Sequence, residues 1–472
     1  MKRFDPIGQG LVAPAASLSP VPVHGVAWKQ KWRNWWAGTT IASPTTEMFA
    51  PAKNSIASVL RFVGAGDVDA LNDYYEQETD YARYWTRKVL ALSDDVPVIL
   101  DASGRSSVTL ATRMLFHVGR HPDFRGIAGG LPSYLRKVFL VRVTEDGGDA
   151  LEAKNASFAP VTKVFFESGS TLAYPAGKEV EEKSINLSSL DNDQLVGALE
   201  EAVVRSSSGA GTCGCIVLPT VSETGRLLPL QEVAALVRDL RKRGHNLFFV
   251  VDDEQGMARR DAEATADPLS YCDAYLFSAS KALGGLLTAS AFAMSEELVQ
   301  IFIEKTQEAD FPREAALAHF QFEPRFEERL PEWILKRGAV SLPEIAAMNA
   351  AFMYFYQRGK GDSFAERRRN QLALVEAERT KIVKALSSIA GVRVLESTVS
   401  RPLVPSIVCF AIEQGGVTAA AVKHALQEGD TVVTPTAVGP YLRLDIPEYR
   451  SVPPVNVLAA KLARVLGDLS QQ

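Results

Sequence analysis

Two short apolar runs near the middle of the chain end in polar residues of opposite charge. The first run, residues 247–251, is followed by Asp252, and the second, residues 274–277, is followed by Ser278 and then Lys281. Continuous apolar runs bounded by polar turns are typical of strands that are buried on both faces, as in parallel sheets. In an open α/β sheet the carboxyl ends of the strands border the ligand crevice. The pattern therefore predicts an acid and an amine at one edge of a parallel sheet.

Asp252 and Lys281 stand 29 residues apart and together indicate pyridoxal phosphate chemistry. A lysine amine forms a Schiff base with the aldehyde of this cofactor, and a carboxylate keeps the pyridine nitrogen protonated. Either residue alone has an ordinary explanation, since most lysines are solvated and an aspartate after a strand often caps a helix. Asp253 and Glu254, which are not needed for this chemistry, are expected to cap a helix or to face solvent.

Strands and helices alternate through most of the chain, which predicts an α/β fold with a doubly wound, mostly parallel sheet. The C-terminal part, with a long helix and three further strands, predicts a smaller α+β domain. We expect an N-terminal arm at 1–54, a large pyridoxal-phosphate-binding domain at 55–320 and a small C-terminal domain at 321–472. Besides the two apolar runs above, strands are predicted at 96–100, 137–143, 161–166, 215–218, 392–395, 407–412 and 441–444. Helices are predicted over 55–93, at 191–204, around 233–240, at 363–389, and near 417–427 and 454–468.

The segment after the strand at 96–100 is a small polar turn followed by an apolar helix. A turn of this kind presents free backbone N–H groups and the positive end of a helix dipole, which together form an anion site. Many α/β turns have a similar sequence, and we interpret this one as a phosphate site because a phosphate is already expected. The candidate phosphate ligands in the turn are Ser103, Gly104 and Ser106, and Ser278 is a further candidate from the lysine segment.

Composition excludes several classes of partner. The formal net charge is −5, which gives no electrostatic case for nucleic acid or for an anionic membrane. No apolar run of transmembrane length or signal-peptide character is found, and a cytoplasmic location is expected. The four cysteines lack metal-ligand spacing, so we expect small buried side chains and no metal. Four of the six tryptophans lie within residues 28–36, and we expect them to pack against the body of the protein or a partner subunit.

From about residue 60 to the C-terminus the chain resembles the fold type I pyridoxal phosphate enzymes, and within them the class V aminotransferase-like group. That group includes cysteine desulfurases, isopenicillin epimerase-like proteins and C–S lyases. Asp252 and Gln255 match the group's Asp-x-x-Gln sequence, which implies contacts with the ring nitrogen and the ring hydroxyl. Ser278 and Lys281 match its Ser-x-x-Lys sequence, in which the serine touches the phosphate.

Three further segments carry the resemblance. Residues 221–225 resemble an Asn-Glu-x-Gly segment near the ring, with Ser222 replacing the asparagine. Arg443 stands where the group has an arginine that grips the substrate carboxylate, although a surface arginine on an edge strand explains the sequence equally well. Residues 337–343 resemble a stretch that reaches the phosphate of the neighbouring subunit, which implies a homodimer with shared active sites. Ser280 and Ala339 depart from the group, which often has histidine and threonine at these positions.

The resemblance implies an enzyme that acts at the α-carbon of an amino acid or amine, and an aminotransferase is the reading we favour. A lyase that eliminates a β-substituent or cleaves a C–S bond is the first alternative, and a condensation like that of the α-oxoamine synthases is another. The group's desulfurase nucleophile is missing, because no cysteine lies on a loop between Gly338 and Cys409. Two other hypotheses stay open: an enzyme without this cofactor that binds a nucleotide at 101–107, and an inactive scaffold that kept the fold.

Overall fold

The protein is described here by a computed structural model. All residues that it describes belong to one compact unit, Thr39–Gln472. The tryptophan cluster and the predicted strand at 161–166 lie outside the described residues. The described residues are 50–63, 68–101, 107, 111, 114–115, 137–144, 179–187, 190–207, 212–279, 283, 290–301, 340–428, 436–438, 440–446 and 455–469.

Most of the helices and strands that the sequence predicts are present among the described residues. The helices are α1 (Ala50–Val63), α2 (Val68–Leu90), α3 (Asn192–Ser206), α4 (Leu230–Lys242), α5 (Ala262–Thr265), α6 (Leu342–Gln357), α7 (Phe364–Ser387), α8 (Ala419–Glu428) and α9 (Val455–Leu469). The strands are β1 (Val98–Asp101), β2 (Lys137–Thr144), β3 (Glu179–Asn186), β4 (Thr212–Pro219), β5 (Leu247–Asp252), β6 (Ala274–Ser278), β7 (Ser290–Met294), β8 (Val392–Val394), β9 (Ile407–Ile412), β10 (Thr436–Val438) and β11 (Tyr441–Asp445).

The large sheet has the strand order β1-β7-β6-β5-β4-β2-β3. Pairing is parallel from β3 through β6, and β7 runs antiparallel to both of its neighbours. Since β7 is reversed between them, β1 and β6 point the same way. The carboxyl ends of β1, β2, β3, β4, β5 and β6 therefore lie at one edge of the sheet, and the predicted mostly parallel α/β fold is confirmed.

The central strands are apolar except for one polar residue at an end of each, because both faces of the sheet are covered. Every residue of β5, β6 and β7 is buried. Helix α4 packs a stripe of apolar side chains into the same core, including Val233, Leu236 and Leu240. A parallel sheet covered by helices needs strands of this composition, whereas a sheet with one wet face shows alternation.

The second sheet is antiparallel, with the order β10-β11-β9-β8. Its core combines β9 and β11 with apolar residues of α7, α8 and α9, among them Ile382, Leu426 and Leu462. The two sheets meet at the segment 221–227, where Leu227 donates its backbone N–H to the carbonyl of Pro402 at 2.8 Å. This junction brings residues of β11 close to the carboxyl edge of the large sheet.

The cysteines are buried, as the sequence predicts. All four are free thiols with no more than 7% of their surface exposed. Burial raises the pKa values of the Cys213, Cys215 and Cys272 thiols above their ordinary range. No helix in the described part of the chain is long and apolar enough to cross a membrane.

Gly214 shows how closely β2 and β4 pack. It pairs in register with Phe139, and a Cβ added at Gly214 would lie 2.1 Å from the ring of that phenylalanine. The aromatic ring therefore covers the bare backbone of the glycine. Gly197 in α3 offers the opposite case, since no atom lies within 4 Å of a Cβ built there.

We expect Gly214→Ala to lower the free energy of unfolding by about 1–3 kcal/mol, because the methyl group must displace a fully buried ring. Gly197→Ala is the matched control and should raise stability by about 0.5–1 kcal/mol, since alanine restricts the unfolded chain and suits a helix. Urea unfolding followed by circular dichroism measures both changes. Equal effects of the two substitutions would contradict the packing described for Gly214.

Candidate active site

The carboxyl ends of β1 and β6 are held on either side of one serine. Asp101 ends β1 and Ser278 ends β6, and both pair in register with Ser290, which begins β7 between them. All three residues are buried. The strand pairing therefore fixes the two strand ends at the same level of the sheet edge.

Ser290 also fixes both flanks of the predicted phosphate turn. Its hydroxyl donates to the backbone carbonyl of Asp101 at 3.2 Å and lies 2.8 Å from the hydroxyl of Ser107. Ser107 is fully buried. The two ends of the segment 102–106 are thus anchored to the strand that pairs with Ser278.

Four of the predicted site residues cannot be placed. Lys281, the predicted attachment point of the cofactor, lies outside the described residues. The same holds for Ser103, Gly104 and Ser106 of the phosphate turn. Their roles stay predictions.

Asp252 lies at the same edge of the sheet as Ser278, one strand away. It ends β5 and pairs in register with Pro219 of β4 and Leu276 of β6. The residue is 8% exposed, and its Oδ1 accepts a hydrogen bond from the backbone N–H of Glu254 at 3.0 Å. Asp252 is therefore a buried carboxylate at the edge where the sequence predicts it.

Gln255 contacts the second sheet. Its Oε1 accepts a hydrogen bond from Nη2 of Arg443 at 3.1 Å. Because a guanidinium group only donates, this contact assigns the amide oxygen to the side of Arg443 and leaves Nε2 as a donor elsewhere. The predicted hydrogen bond from Gln255 to a ring hydroxyl requires such a donor.

Arg443 is an interior residue. It lies on β11, which has neighbours on both sides, and it is 3% exposed, so the alternative of a surface arginine on an edge strand is wrong. Its Nε and Nη2 donate to the two carboxylate oxygens of Asp445 at 2.9 and 2.7 Å. Its Nη1 donates to the backbone carbonyl of Glu223 at 2.8 Å. Arg443 therefore links β11 both to Gln255 and to the segment 221–225.

A second arginine shares the carboxylate of Asp445. Arg259 lies 2.7 Å from Oδ1 of Asp445, and its Nη1 donates to the hydroxyl of Ser406 at 3.2 Å. Burial acts to raise the pKa of Asp445, but the guanidinium groups of Arg443 and Arg259 outweigh it and hold that pKa below its ordinary value. Asp445 is therefore ionised at neutral pH.

Ser222 closes a tight turn at residues 222–226. Its hydroxyl accepts a hydrogen bond from the backbone N–H of Arg226 at 3.1 Å, and the residue is 4% exposed. Gly225 in this turn has a φ of 90°, and a Cβ there would lie 2.8 Å from Cβ of Ile407. The turn therefore requires glycine, and the hydroxyl of Ser222 already serves the turn at the position where the resemblance places a ring contact.

Asp253 is fully buried, so the prediction that it caps a helix or faces solvent is wrong. Its carboxylate accepts hydrogen bonds from the hydroxyls of Thr220 and Tyr275, and it lies 3.0 Å from Nη2 of Arg260. Burial and the charge of Asp253 raise the pKa of Tyr275 well above its ordinary value, so the phenol stays protonated and donates. This network holds the backbone that follows Asp252.

Sequence reasoning did not single out Asp445 or Arg259. A signal for Asp445 exists, because Arg443 and Asp445 are two residues apart on a strand and their side chains leave the same face. An arginine and an aspartate at that spacing on an apolar strand predict an ion pair. Arg259 offers no such local signal, since its partner lies far along the chain.

Comparison with known proteins identifies the fold. The chain matches no protein-family profile and no functionally curated protein. Among solved structures it is similar to the cystine C–S lyase C-DES in complex with its product cysteine persulfide, with a TM-score of 0.62, 15% identity, and coverage of 90% of this chain and 97% of that chain. It is also similar to the cysteine desulfurase CsdA from Escherichia coli, with a TM-score of 0.60, 14% identity, and coverage of 94% and 98%.

An aminotransferase is among the similar structures as well. The pyridoxamine-pyruvate aminotransferase from Mesorhizobium loti has a TM-score of 0.55 and 13% identity, with coverage of 92% of this chain and 93% of that chain. The chain has the fold of the fold type I pyridoxal phosphate enzymes, as the sequence predicts. The alignments span nearly the whole of each chain, so this fold accounts for both sheets.

We expect Asp253→Ala to lower the free energy of unfolding by about 3–5 kcal/mol, because it leaves Arg260 as a buried charge without its carboxylate. Tyr275→Phe removes one hydrogen bond to the same carboxylate and should cost about 1–3 kcal/mol. The exposed neighbour Asp261 is the control, and Asp261→Ala should change stability by less than about 0.5 kcal/mol. Urea unfolding measures all three, and a small effect of Asp253→Ala would rule out the buried ion pair.

Proposed function

We propose that this protein is a pyridoxal-phosphate-dependent enzyme that acts at the α-carbon of an amino acid or amine, as an aminotransferase. The observation that carries the proposal is the buried carboxylate of Asp252, one strand from Ser278 at the carboxyl edge of this fold. A buried carboxylate matches a protonated pyridine nitrogen, and a strand-end serine hydroxyl matches a phosphate oxygen. The described residues therefore fit this cofactor.

Each side chain has a definite task in the proposed site. Lys281 holds the cofactor through its amine, and the same amine, once released, takes the proton from the α-carbon of the substrate. This step requires a neutral lysine amine. Asp252 keeps the ring nitrogen protonated, and Gln255 donates from Nε2 to the ring hydroxyl. When bound, pyridoxal phosphate supplies an aldehyde for the amino group and a ring that accepts the electron pair of the α-carbon.

The remaining residues bind and orient. Ser222 borders the ring in this proposal. Arg443 is the sequence-based candidate for the substrate carboxylate, since a guanidinium group binds a carboxylate through two parallel hydrogen bonds. The phosphate is assigned to Ser103, Gly104, Ser106 and Ser278.

A pyridoxal-phosphate-dependent lyase is the second candidate, because the similar structures include a cystine C–S lyase and a cysteine desulfurase. The burial of the cysteines in this chain argues against a desulfurase that uses a thiol nucleophile. The chain has four cysteines, and all four are buried. A lyase reaction here would therefore release its sulfur product, or another leaving group, without passing it to a cysteine of the enzyme.

We also propose a homodimer with shared active sites and a cytoplasmic location. The resemblance of residues 337–343 to a stretch that reaches the neighbouring subunit supports the dimer. Light scattering of the purified protein tests the dimer directly.

The alternative that is not an enzyme is an inactive scaffold of the same fold. The presence of Asp252, Gln255 and Lys281 in their expected spacing supports an active enzyme instead.

We expect the purified protein to carry an absorption band near the edge of the visible range that borohydride removes. Lys281→Ala should abolish the covalent attachment, because no other amine is predicted at the cofactor aldehyde. Asp252→Ala should weaken cofactor binding at least about tenfold, since the pyridinium loses its carboxylate partner. Absorbance spectra, and mass spectrometry after reduction, measure these changes.

Lys384→Ala is the matched control, since Lys384 is an exposed lysine on α7 and should keep the reducible band. A Lys281→Ala protein that still forms the reduced adduct would falsify the assignment of Lys281. Nucleotide binding without any pyridoxal phosphate band would favour the alternative enzyme without this cofactor.

A single-turnover assay separates the two candidate reactions. Mixed with an amino donor and no acceptor, an aminotransferase releases at most one carbonyl product per subunit and retains the amino group. A lyase continues to turn over and releases ammonia. Quantifying carbonyl product and ammonia in the same sample decides between them.

A further inference from the structure

Both hydrogen-bonding edges of the Arg443 guanidinium are occupied by groups of the chain itself. The side edge, Nε and Nη2, holds the carboxylate of Asp445 at 2.9 and 2.7 Å. The end edge, Nη1 and Nη2, holds the backbone carbonyl of Glu223 at 2.8 Å and Oε1 of Gln255 at 3.1 Å. A substrate carboxylate needs one of these edges for a bidentate contact.

The carboxylate already bound is hard to displace. Asp445 is 5% exposed and lies two residues from Arg443 on the same strand, so it is a tethered competitor at high effective concentration. Arg259 also lies 2.7 Å from Oδ1 of the same carboxylate. An incoming carboxylate would have to displace Asp445 from the side edge of Arg443, or the carbonyl of Glu223 and the amide oxygen of Gln255 from its end edge.

The contact with Gln255 indicates that Arg443 orients the side chains and backbone around the proposed cofactor site. Gln255 is joined to Arg443 through its amide oxygen, so its Nε2 donor points away from the arginine. The same guanidinium holds Glu223 next to Ser222. Arg443 therefore fixes two segments that border the proposed cofactor site.

We infer that Arg443 is a positioning residue for Gln255, and that the substrate is an amine with no carboxylate on the carbon that bears the amino group. The inference rests on the proposed function and replaces the carboxylate grip expected from the sequence. Asp445 takes the place of the carboxylate that an α-amino acid would present. The substrate class is then a primary amine that carries no carboxylate near its amino group.

Two small aminooxy compounds test the substrate class, because both react with any accessible pyridoxal aldehyde. Aminooxyacetate carries a carboxylate and methoxyamine carries none. Stopped-flow absorbance gives the rate at which each compound removes the cofactor band of the holoenzyme. The rate with aminooxyacetate is divided by the rate with methoxyamine, and this ratio is then divided by the same ratio measured for free pyridoxal phosphate. We expect a corrected ratio below about fivefold for the natural protein.

Asp445→Asn supplies the matched comparison. It removes the negative charge and keeps the size of the side chain, so Arg443 and Arg259 become available to a carboxylate. We expect the aminooxyacetate preference to rise at least about tenfold over the natural protein. A preference above about fivefold in the natural protein, or no rise in the variant, overturns the inference.

The positioning role has its own spectroscopic test. If Arg443 acts through Gln255, then Gln255→Ala and Arg443→Gln should each shift the pH midpoint of the cofactor band in the same direction, by at least about 0.5 units. The double variant should shift the midpoint no further than either single variant does. Arg393→Gln is the control, since Arg393 is exposed on β8 and pairs with Glu413 at the surface. A shift from Gln255→Ala without one from Arg443→Gln overturns the role.

Failure of the proposed function is recognised separately. A natural protein with no borohydride-sensitive band lacks the cofactor, and the inference falls with the proposed function. A protein with the band and a strong carboxylate preference keeps the proposed function and loses only this inference.

Discussion

The carboxylate of Asp445 is the interaction on which the candidate site depends. It is buried on an interior strand of the small sheet, where Arg443 and Arg259 both donate to it. Arg259 belongs to the segment after β5 and Arg443 to β11, so one acid joins the two sheets. Buried ions are stable only when charge and hydrogen bonds are both satisfied, and here two guanidinium groups and their further acceptors meet that condition.

The register of the large sheet provides the other half of the site. Parallel strands that end together bring Asp101, Asp252 and Ser278 to one edge although they lie far apart in sequence. The reversed strand β7 contributes Ser290, whose hydroxyl joins the flanks of the phosphate turn to this edge. The pairing of the strands and the hydrogen bonds of Ser290 thus bring together residues that no local stretch of sequence contains.

Much of this arrangement could be predicted because buried strands reveal themselves by composition. The runs at 247–251 and 274–277 are apolar throughout, and β5 and β6 differ from them only by one residue at the carboxyl end. Strand β3 escaped prediction because it is an edge strand rich in charge, Glu-Val-Glu-Glu-Lys-Ser-Ile-Asn, as solvent-facing edges often are. Helix α6 escaped prediction because its own residues are apolar on nearly all of its faces, so the sequence shows no amphipathic pattern. The ion pairs of Asp253 and Asp445 involve partners distant in sequence, so only the fold could reveal them.

The double attachment of Arg443 limits how the small sheet can move. Its guanidinium binds Gln255 and the backbone of Glu223, both of which belong to the large-sheet side of the junction. Swinging the small sheet outward would break both of these charge-assisted hydrogen bonds and the ion pair between Arg259 and Asp445. Access to the crevice must therefore come from segments other than β11, and the two sheets are expected to travel together as one body whenever the site opens.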